Sequence, residues 1–357
     1  MDWSKLLSKD RIRKSGRKID ARNEFESDFG RIIFSPAVRR MHDKTQVFPL
    51  TTDDNIHSRL THSLEVMSVG YSLGVRICDS KEVQKKFSKE ECELLREIPI
   101  ILKNVCLVHD IGNPPFGHFG ETVIQNYFKE LFEKQNKRKI FNLFCCKKFK
   151  KGKDKIINLN TAQKRDFLEF DGNAQGLRVL TKLQSLNDDK GLNLTFATLA
   201  SYIKYPNYGH KEKSKLAKKK IGVFYSEKEY FEQIMNGCGL KKDENEFIRH
   251  PLCYLMEAAD SICYLVMDIE DAYSKGVITL DEFYDYLKDV PRVKDKLKAI
   301  YEDKDQNEIT KIVNFRIYLI QSLVDLAYDN FIKNIDEIAK GKYDKELIED
   351  EEQNKKN

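Results

Sequence analysis

The sequence contains no long hydrophobic run, and this absence argues against a membrane protein. No stretch approaches the roughly 18 consecutive apolar residues that a membrane-spanning helix requires. The chain starts with Met-Asp-Trp-Ser-Lys, which lacks the apolar core of a secretory signal. We therefore expect a soluble protein that is located in the cytoplasm and has no membrane partner.

Cysteines with metal-site or redox spacing are also absent. The eight cysteines show neither the paired spacing of a zinc site nor a Cys-x-x-Cys motif, and several fall inside apolar segments. We expect reduced thiols, most of which act as small structural residues. They are Cys78, Cys92, Cys106, Cys145, Cys146, Cys238, Cys253 and Cys263.

Neither sign of charge dominates the chain as a whole. The 62 basic and 57 acidic residues give a formal net charge of +5, which does not by itself indicate a nucleic-acid partner. The distribution is uneven, because ten basic residues and a single acid occur between residues 134 and 155, interleaved with phenylalanines. This basic insertion, at about residues 134–166, indicates either a solvated surface segment or a salt-sensitive contact to nucleic-acid phosphates.

Helix breakers are scarce, since the 357 residues include 8 prolines and 17 glycines. Apolar residues recur at helical spacing in long segments, as at Leu60, Leu64, Met67 and Tyr71, whereas the alternating pattern of strands is rare. The 41% of hydrophobic residues is enough for a large core. We expect a mainly α fold, with an N-terminal segment at residues 1–22, a core at 23–342 and an acidic, disordered tail at 343–357.

An almost wholly apolar segment, residues 98–110, ends in His109 and Asp110. A glycine and two consecutive prolines follow and stop the predicted helix. Polar groups that are buried without a partner or a metal are costly, so the pair is a candidate for ligands in an internal cavity. Taken alone, an adjacent His-Asp pair is more typical of two hydrogen-bonded core residues.

Two further segments carry residues of matching chemistry. Arg59 and His62 are three residues apart, which places a phosphate-binding guanidinium and a metal-binding imidazole on one face of a helix. Residues 251–273 predict another helix, apolar on most of its surface. One polar stripe on it, whose carboxylates favour a cation, consists of Glu257, Asp260, Tyr264, Asp268 and Asp271.

His118 and Glu121, again three residues apart, follow the two prolines at the start of a third predicted helix. The unpaired N–H groups and the positive dipole end of a helix favour an anion there. A histidine held by a glutamate can orient or deprotonate water, or donate a proton to a leaving oxygen. The pair is also compatible with capping at the surface. Together, these segments predict a hydrolase that uses a divalent metal ion on a phosphate ester.

These residues carry a resemblance to a known family. His62, His109-Asp110 and Asp260 are similar to the H…HD…D signature of the HD-domain metal phosphohydrolases. From about residue 23 to residue 273 the chain more closely resembles the dGTPase family of deoxynucleotide triphosphohydrolases. The matching segments, in chain order, are EFESDFGRIIFSPAVRRMHDKTQVFPL, SRLTHSLEVMSVG, HDIGNPPFGHFGE, FDGNAQGLRVL, ATLASYIKYP, KIGVFYSEKEYFEQI and RHPLCYLMEAADSICYLVMDIEDAY.

The resemblance implies an HD-domain helical bundle with additional helices and little strand. It also implies hydrolysis of dGTP or another dNTP at the α-phosphate, which yields the deoxynucleoside and inorganic triphosphate. The family further implies a homo-oligomer. Two other functions stay open: an HD phosphohydrolase that acts on another nucleotide, and a catalytically silent protein that binds nucleotide or nucleic acid.

The resemblance assigns roles to individual residues. The metal ligands would be His62, His109, Asp110 and Asp260. The ion would be Mn²⁺ or Mg²⁺, and Fe, Co or Ni would also suit these ligands. His118 and Glu121 would serve the catalytic water or the leaving group. Substrate contacts would come from Gln46, Arg59, Asn173, Lys204, Lys220, Tyr264 and Asp268.

Some of these assignments have a simpler alternative. Lys204 and Lys220 are each also typical of a solvated surface lysine, and Asn173 is also typical of a turn-forming hydrogen bond. Tyr264, one turn after the last ligand, would pack on the deoxyribose where a 2′-hydroxyl would clash. Where the family commonly has a second histidine after Ile-Gly, this chain has Asn113, and all four ligands remain in place.

Overall fold

The computed structural model describes residues 2–14, 21–50, 53, 55–85, 88–144, 158–184, 190–209, 211–244 and 246–349. Three predicted segments fall partly outside these residues. They are the N-terminal segment at residues 1 and 15–20, the basic insertion at 145–157 and the acidic tail at 350–357.

The described residues form a mainly α fold, which confirms the predicted fold class. The α-helices are α1 (Trp3–Leu6), α2 (Glu24–Ile33), α3 (Pro36–Arg40), α4 (Arg59–Asp79), α5 (Lys81–Gln84), α6 (Lys89–Leu95), α7 (Ile98–Val108), α8 (Gly117–Phe144), α9 (Thr161–Leu168), α10 (Gly172–Arg178), α11 (Phe196–Tyr202), α12 (Lys228–Gly237), α13 (Pro251–Ser274), α14 (Leu280–Leu287), α15 (Lys294–Glu302), α16 (Glu308–Lys333) and α17 (Ile335–Ala339). In this part of the chain the sheet structure is one short antiparallel hairpin, β1 (Lys241–Asp243) and β2 (Glu246–Phe247). None of the described helices is both long and apolar enough to cross a lipid bilayer.

Helix α7 lies at the centre of the main core, and most of its side chains are buried, as its apolar sequence predicted. Helices α2, α4, α11 and α13 pack around it. Two glycines of α4 permit a close antiparallel approach to α7. A β-carbon at Gly70 would overlap with Sγ of Cys106, and one at Gly74 would lie 2.7 Å from Cα of Pro99. The start of α4 is therefore adjacent to the end of α7.

A second, smaller core joins the last part of α13 to α14, α15 and α16. It contains the buried side chains of Val266, Phe283, Leu297 and Phe315. Since the first part of α13 packs against α4 and α7, this one helix takes part in both cores.

Helix α13 begins at Pro251 and is capped by a buried histidine. Nδ1 of His250 accepts a hydrogen bond from the N–H of Leu252, and Nε2 donates to the carbonyl of Leu6 at 3.1 Å. Burial lowers the pKa of His250 to about 4, so this residue is neutral and serves as a cap.

Both ends of the described chain pack on the main core. Trp3 and Leu6 of α1 are buried there, and so are Tyr343 and Leu347. The hydroxyl of Tyr254 donates to the carbonyl of Tyr343 at 2.9 Å. The acidic composition predicted disorder from residue 343, whereas residues 343–349 are packed. The physical reason is that two apolar side chains among the acids anchor the segment.

Candidate active site

Three of the predicted metal ligands converge where α4, α7 and α13 meet. His62 lies in the first turns of α4, His109 directly follows α7, and Asp260 lies in the middle of α13. Oδ1 of Asp260 is 3.1 Å from Nε2 of His62 and 3.3 Å from Nε2 of His109. One ligand atom from each of the three residues lies within 4.8 Å of the other two.

The hydrogen bonds of His109 leave one ring nitrogen available to a metal. Its Nδ1 is 2.7 Å from the carbonyl oxygen of Cys106, and because a carbonyl only accepts, Nδ1 carries the proton. Nε2 is buried and makes no well-formed hydrogen bond to any described residue, although Asp260 is close. A backbone carbonyl that fixes the tautomer in this way is typical of metal-binding histidines.

The electrostatics of this cluster favour a cation. Burial alone would lower the pKa of His109, but Asp110 and Asp260 raise it to about 9. Burial opposes ionisation of Asp260, yet its contacts with His109 and His62 hold its pKa well below the usual value. Two nitrogens and one carboxylate oxygen at this spacing suit a borderline or hard divalent metal, so the residues fit the predicted ion.

Asp110 lies beside the three converging residues and is held by two donors. Its Oδ1 is 3.7 Å from Nε2 of His109 and accepts a hydrogen bond of 2.6 Å from Nδ2 of Asn113. Its Oδ2 accepts from Nη1 of Arg59. Asp110, the predicted fourth ligand, thus lies next to the cluster. Its second carboxylate oxygen, Oδ2, binds the guanidinium of Arg59.

His118 and Glu121 form the predicted pair at the start of α8. Nδ1 of His118 donates to Oε2 of Glu121 at 2.7 Å, and the backbone N–H of Gly172 donates to Oε1 at 2.6 Å. The Glu121 side chain is buried, whereas that of His118 is 81% exposed. The hydrogen bond to Glu121 raises the pKa of His118, and burial alone would raise the pKa of Glu121, but its two donors lower it.

The two predicted triphosphate-binding lysines each lie beside a carboxylate. Nζ of Lys204 is 3.0 Å from Glu257, which also binds the buried Arg249 at 2.7 Å. Burial would lower the pKa of Lys204, but Glu257 raises it. Two cations on one carboxylate leave a net positive charge. Nζ of Lys220 is 3.1 Å from Asp171, at the start of α10.

The remaining predicted substrate contacts differ in their surroundings. Tyr264 is 44% exposed, and Oε1 of Gln46 is buried without a hydrogen-bond partner among the described residues. Asn173 donates to Asp171 at 2.8 Å, which is the turn contact of the alternative interpretation. Burial raises the pKa of Asp268 to about 6.

Sequence reasoning missed a histidine next to this site. Nδ1 of His57 lies 2.8 Å from Oδ1 of Asp271 on α13, and Nε2 lies 3.0 Å from Oε1 of Glu65 on α4. These groups border a cavity of about 700 Å³. The contact with Asp271 spans 214 residues in sequence, so no local signal could have revealed it.

Comparisons with known proteins show the family to which this chain belongs. The chain matches none of the protein-family models. A protein of Pseudomonas aeruginosa (strain LESB58) named deoxyguanosinetriphosphate triphosphohydrolase-like protein is 38% identical, over 98% of this chain and 74% of its own length. A protein of the same name in Listeria monocytogenes serovar 1/2a is 37% identical over the same shares. The deoxyguanosinetriphosphate triphosphohydrolase of Yersinia enterocolitica serotype O:8 is 33% identical over 91% of this chain and 67% of its own length. This chain therefore belongs to the deoxyguanosinetriphosphate triphosphohydrolase-like family of hydrolases.

Proposed function

We propose that this hydrolase is a metal-dependent dNTP triphosphohydrolase that cleaves at the α-phosphate, with dGTP as the favoured substrate. Water and the triphosphate would give the deoxynucleoside and intact inorganic triphosphate. The observation that carries the proposal is the convergence of His62, His109 and Asp260 beside Arg59, since it combines a cation site with a phosphate-binding group.

His62, His109 and Asp260 would hold the metal ion, with Asp110 as the fourth ligand. Mn²⁺ or Mg²⁺ bound there would polarise a phosphoryl oxygen and act as a template for the substrate. Nε2 of His109 supports this assignment, because it is buried beside Asp260 and makes no well-formed hydrogen bond to a described residue. The remaining steps belong to the protein's own side chains.

His118 would supply the proton that the leaving 5′-oxygen requires. Its Nδ1 is bonded to Glu121, so the exposed Nε2 is free to face the substrate. Because Glu121 raises the pKa of His118, a larger fraction of the protein molecules carries a protonated His118 at neutral pH. The hydrogen bond from the N–H of Gly172 holds the carboxylate of Glu121 in place.

Arg59, Lys204 and Lys220 would bind the triphosphate. The net positive charge of the Lys204–Glu257–Arg249 group is what makes Lys204 suitable, although it is ion-paired. Tyr264 would pack on the deoxyribose, while Asp268, Gln46 and Asn173 would contact sugar or base. We also propose, from the family, that the active form is a homo-oligomer.

The test is product analysis with each dNTP and with GTP, in Mn²⁺ or Mg²⁺, by ion-exchange chromatography. We expect deoxynucleoside and triphosphate from dNTPs, dGTP fastest, and little turnover of GTP. His109→Ala and Asp260→Asn should abolish turnover in folded protein. The control is His42→Ala, since His42 is exposed. Release of mono- or diphosphate, or substantial activity in either folded site variant, would contradict the proposal.

A further inference from the structure

The turn between α7 and α8 contains an asparagine that contacts both halves of the site. Nδ2 of Asn113 donates to Oδ1 of Asp110 at 2.6 Å. The amide orientation follows from chemistry, because a carboxylate accepts only and must face the NH₂ group. Nζ of Lys44 donates to the carbonyl of Asn113 at 2.7 Å and so holds the backbone of the turn.

The opposite edge of the same amide faces the start of α10. A β-carbon on Gly172 would overlap with Oδ1 of Asn113 and would lie 3.0 Å from Oε1 of Glu121. The N–H of Gly172 donates to that same Glu121 oxygen at 2.6 Å. Gly172 therefore lies against both Asn113 and Glu121, the acid of the His118–Glu121 pair.

Further glycines make this contact possible. A β-carbon on Gly112 would overlap with the backbone of Gly172 and Gly176. The turn after α7 thus packs directly, backbone on backbone, against the first turn of α10. A displacement of either segment would be transmitted to the other, because no flexible side chain lies between them.

We propose that Asn113 is a positioning residue that orients Asp110 and, through its contact with Gly172, aligns the metal-binding residues with Glu121. This rests on the proposed function, in which the metal ligands and the His118–Glu121 pair act on one substrate. Asn113 suits the role because it is neutral. It donates to Asp110, whereas an aspartate there would place a second negative charge against that carboxylate.

The first experiment measures Mn²⁺ affinity by electron paramagnetic resonance together with kcat and KM for dGTP. We expect Asn113→Ala to weaken Mn²⁺ binding by about 10-fold and to lower kcat by on the order of 10- to 100-fold, with KM little changed. Should Asn113→Ala fail to fold, Asn113→Asp is nearly isosteric and should lower kcat by a similar factor, because a carboxylate repels Asp110 instead of donating to it. Unchanged Mn²⁺ affinity and kcat in a folded variant would overturn the proposal.

The second experiment tests the link to Glu121 with Gly172→Ala, alone and combined with Asn113→Ala. Alone, the added methyl group must displace Asn113 and should lower kcat at least 10-fold. With Asn113 truncated the overlap is relieved, so Gly172→Ala should then have a several-fold smaller effect. The control is Gly30→Ala in α2, where a β-carbon would meet, among the described residues, only Nη1 of Arg22 at 3.6 Å.

The outcomes separate this inference from the function on which it rests. Equal effects of Gly172→Ala in both backgrounds would show that the two residues act independently and would refute the link. If the wild-type protein turned over no dNTP, the proposed function would fail. Mn²⁺ affinity would still decide whether Asn113 orients Asp110.

Discussion

At the scale of single residues, four histidines of this chain differ because each ring meets different partners. His250 is buried between a backbone donor and a backbone acceptor, and it stays neutral. His57 lies between two carboxylates, which favour its protonated form. His109 uses one nitrogen on a carbonyl and keeps the other for a ligand, while His118 has one partner and an exposed edge. Residue type alone would assign all four the same chemistry.

The first prediction concerns His57 and stability. The hydrogen bond to Asp271, followed by that to Glu65, raises the pKa of His57 from 6.5 to about 10. The charged form therefore stabilises the fold fully below about pH 6.5, and this stabilisation is lost as the pH rises through about 10. His57→Gln should lower the free energy of unfolding by roughly 2–4 kcal/mol at pH 6, since it leaves the buried carboxylate of Asp271 and the half-buried one of Glu65 without their cation.

Urea unfolding from pH 6 to pH 10 measures this effect, and the difference between wild type and His57→Gln should shrink across that range. His42→Gln is the matched control. His42 lies 3.0 Å from Asp43 with both side chains exposed, so its loss should change stability by less than about 0.5 kcal/mol. If the loss of stability caused by His57→Gln did not depend on pH, it would contradict the interpretation that a charged His57 binds the two carboxylates.

The second prediction concerns Glu121→Gln. The amide still accepts from Gly172 but no longer carries the charge, so the pKa of His118 should fall. If the His118 imidazolium donates the proton, kcat decreases as pH rises through its pKa. The decreasing limb should then move to lower pH, and kcat should fall on the order of 10²–10³-fold. Glu130→Gln, an exposed change on the same helix, is the control, and an unshifted limb would exclude this role.

At the scale of elements, the spacing of α4 and α7 determines whether the metal ligands meet. Both helices were predicted from their apolar patterns, and α13 was predicted at residues 251–273 against Pro251–Ser274 in the structure. Their antiparallel contact depends on Gly70 and Gly74, whose missing side chains let α4 approach α7. His62 and His109 lie at the adjacent ends of these helices, so the contact sets the position of both.

The third prediction follows from that contact. Gly70→Ala places a methyl group onto Sγ of Cys106 and should destabilise the protein by about 1–3 kcal/mol. Cys106→Ala should recover part of this loss, because it removes the overlapping atom. Thermal unfolding of the single and double variants, with Gly30→Ala as control, gives the comparison. Purely additive losses would show that the two residues are not in steric contact.

At the scale of the whole molecule, helix α13 takes part in both hydrophobic cores. The segment after the last helix then packs against the main core. Helix α13 contributes Asp260 to the site and Val266 to the smaller core. After the last helix, Tyr343 then packs beside α13, and the carbonyl of Leu347 accepts a hydrogen bond from Asn330 of α16. The segment that follows the helices is thus anchored on the main core by Tyr343 and Leu347.

The fourth prediction tests that packing. Leu347 is 1% exposed, so Leu347→Ala should lower the free energy of unfolding by about 2–4 kcal/mol in urea. Leu50→Ala is a matched control, because Leu50 is 95% exposed and its loss should have little effect. Equal stability of the two variants would mean that the acidic segment is not anchored in solution.

The sequence alone determined the helix-rich class, the principal helices and the family, because apolar periodicity and motif order are local properties of the chain. The tertiary structure decided what the motifs do together. It brought His62, His109 and Asp260 close enough together to bind one metal ion. It also placed Asp110 within hydrogen-bond distance of Arg59 and Asn113, and it paired Lys204 with Glu257. Except for that between Asp110 and Asn113, these contacts join residues tens to hundreds of positions apart. Their distances depend on how closely the helices pack, and the helices pack closely where a glycine lacks a side chain, as at Gly70 against Cys106.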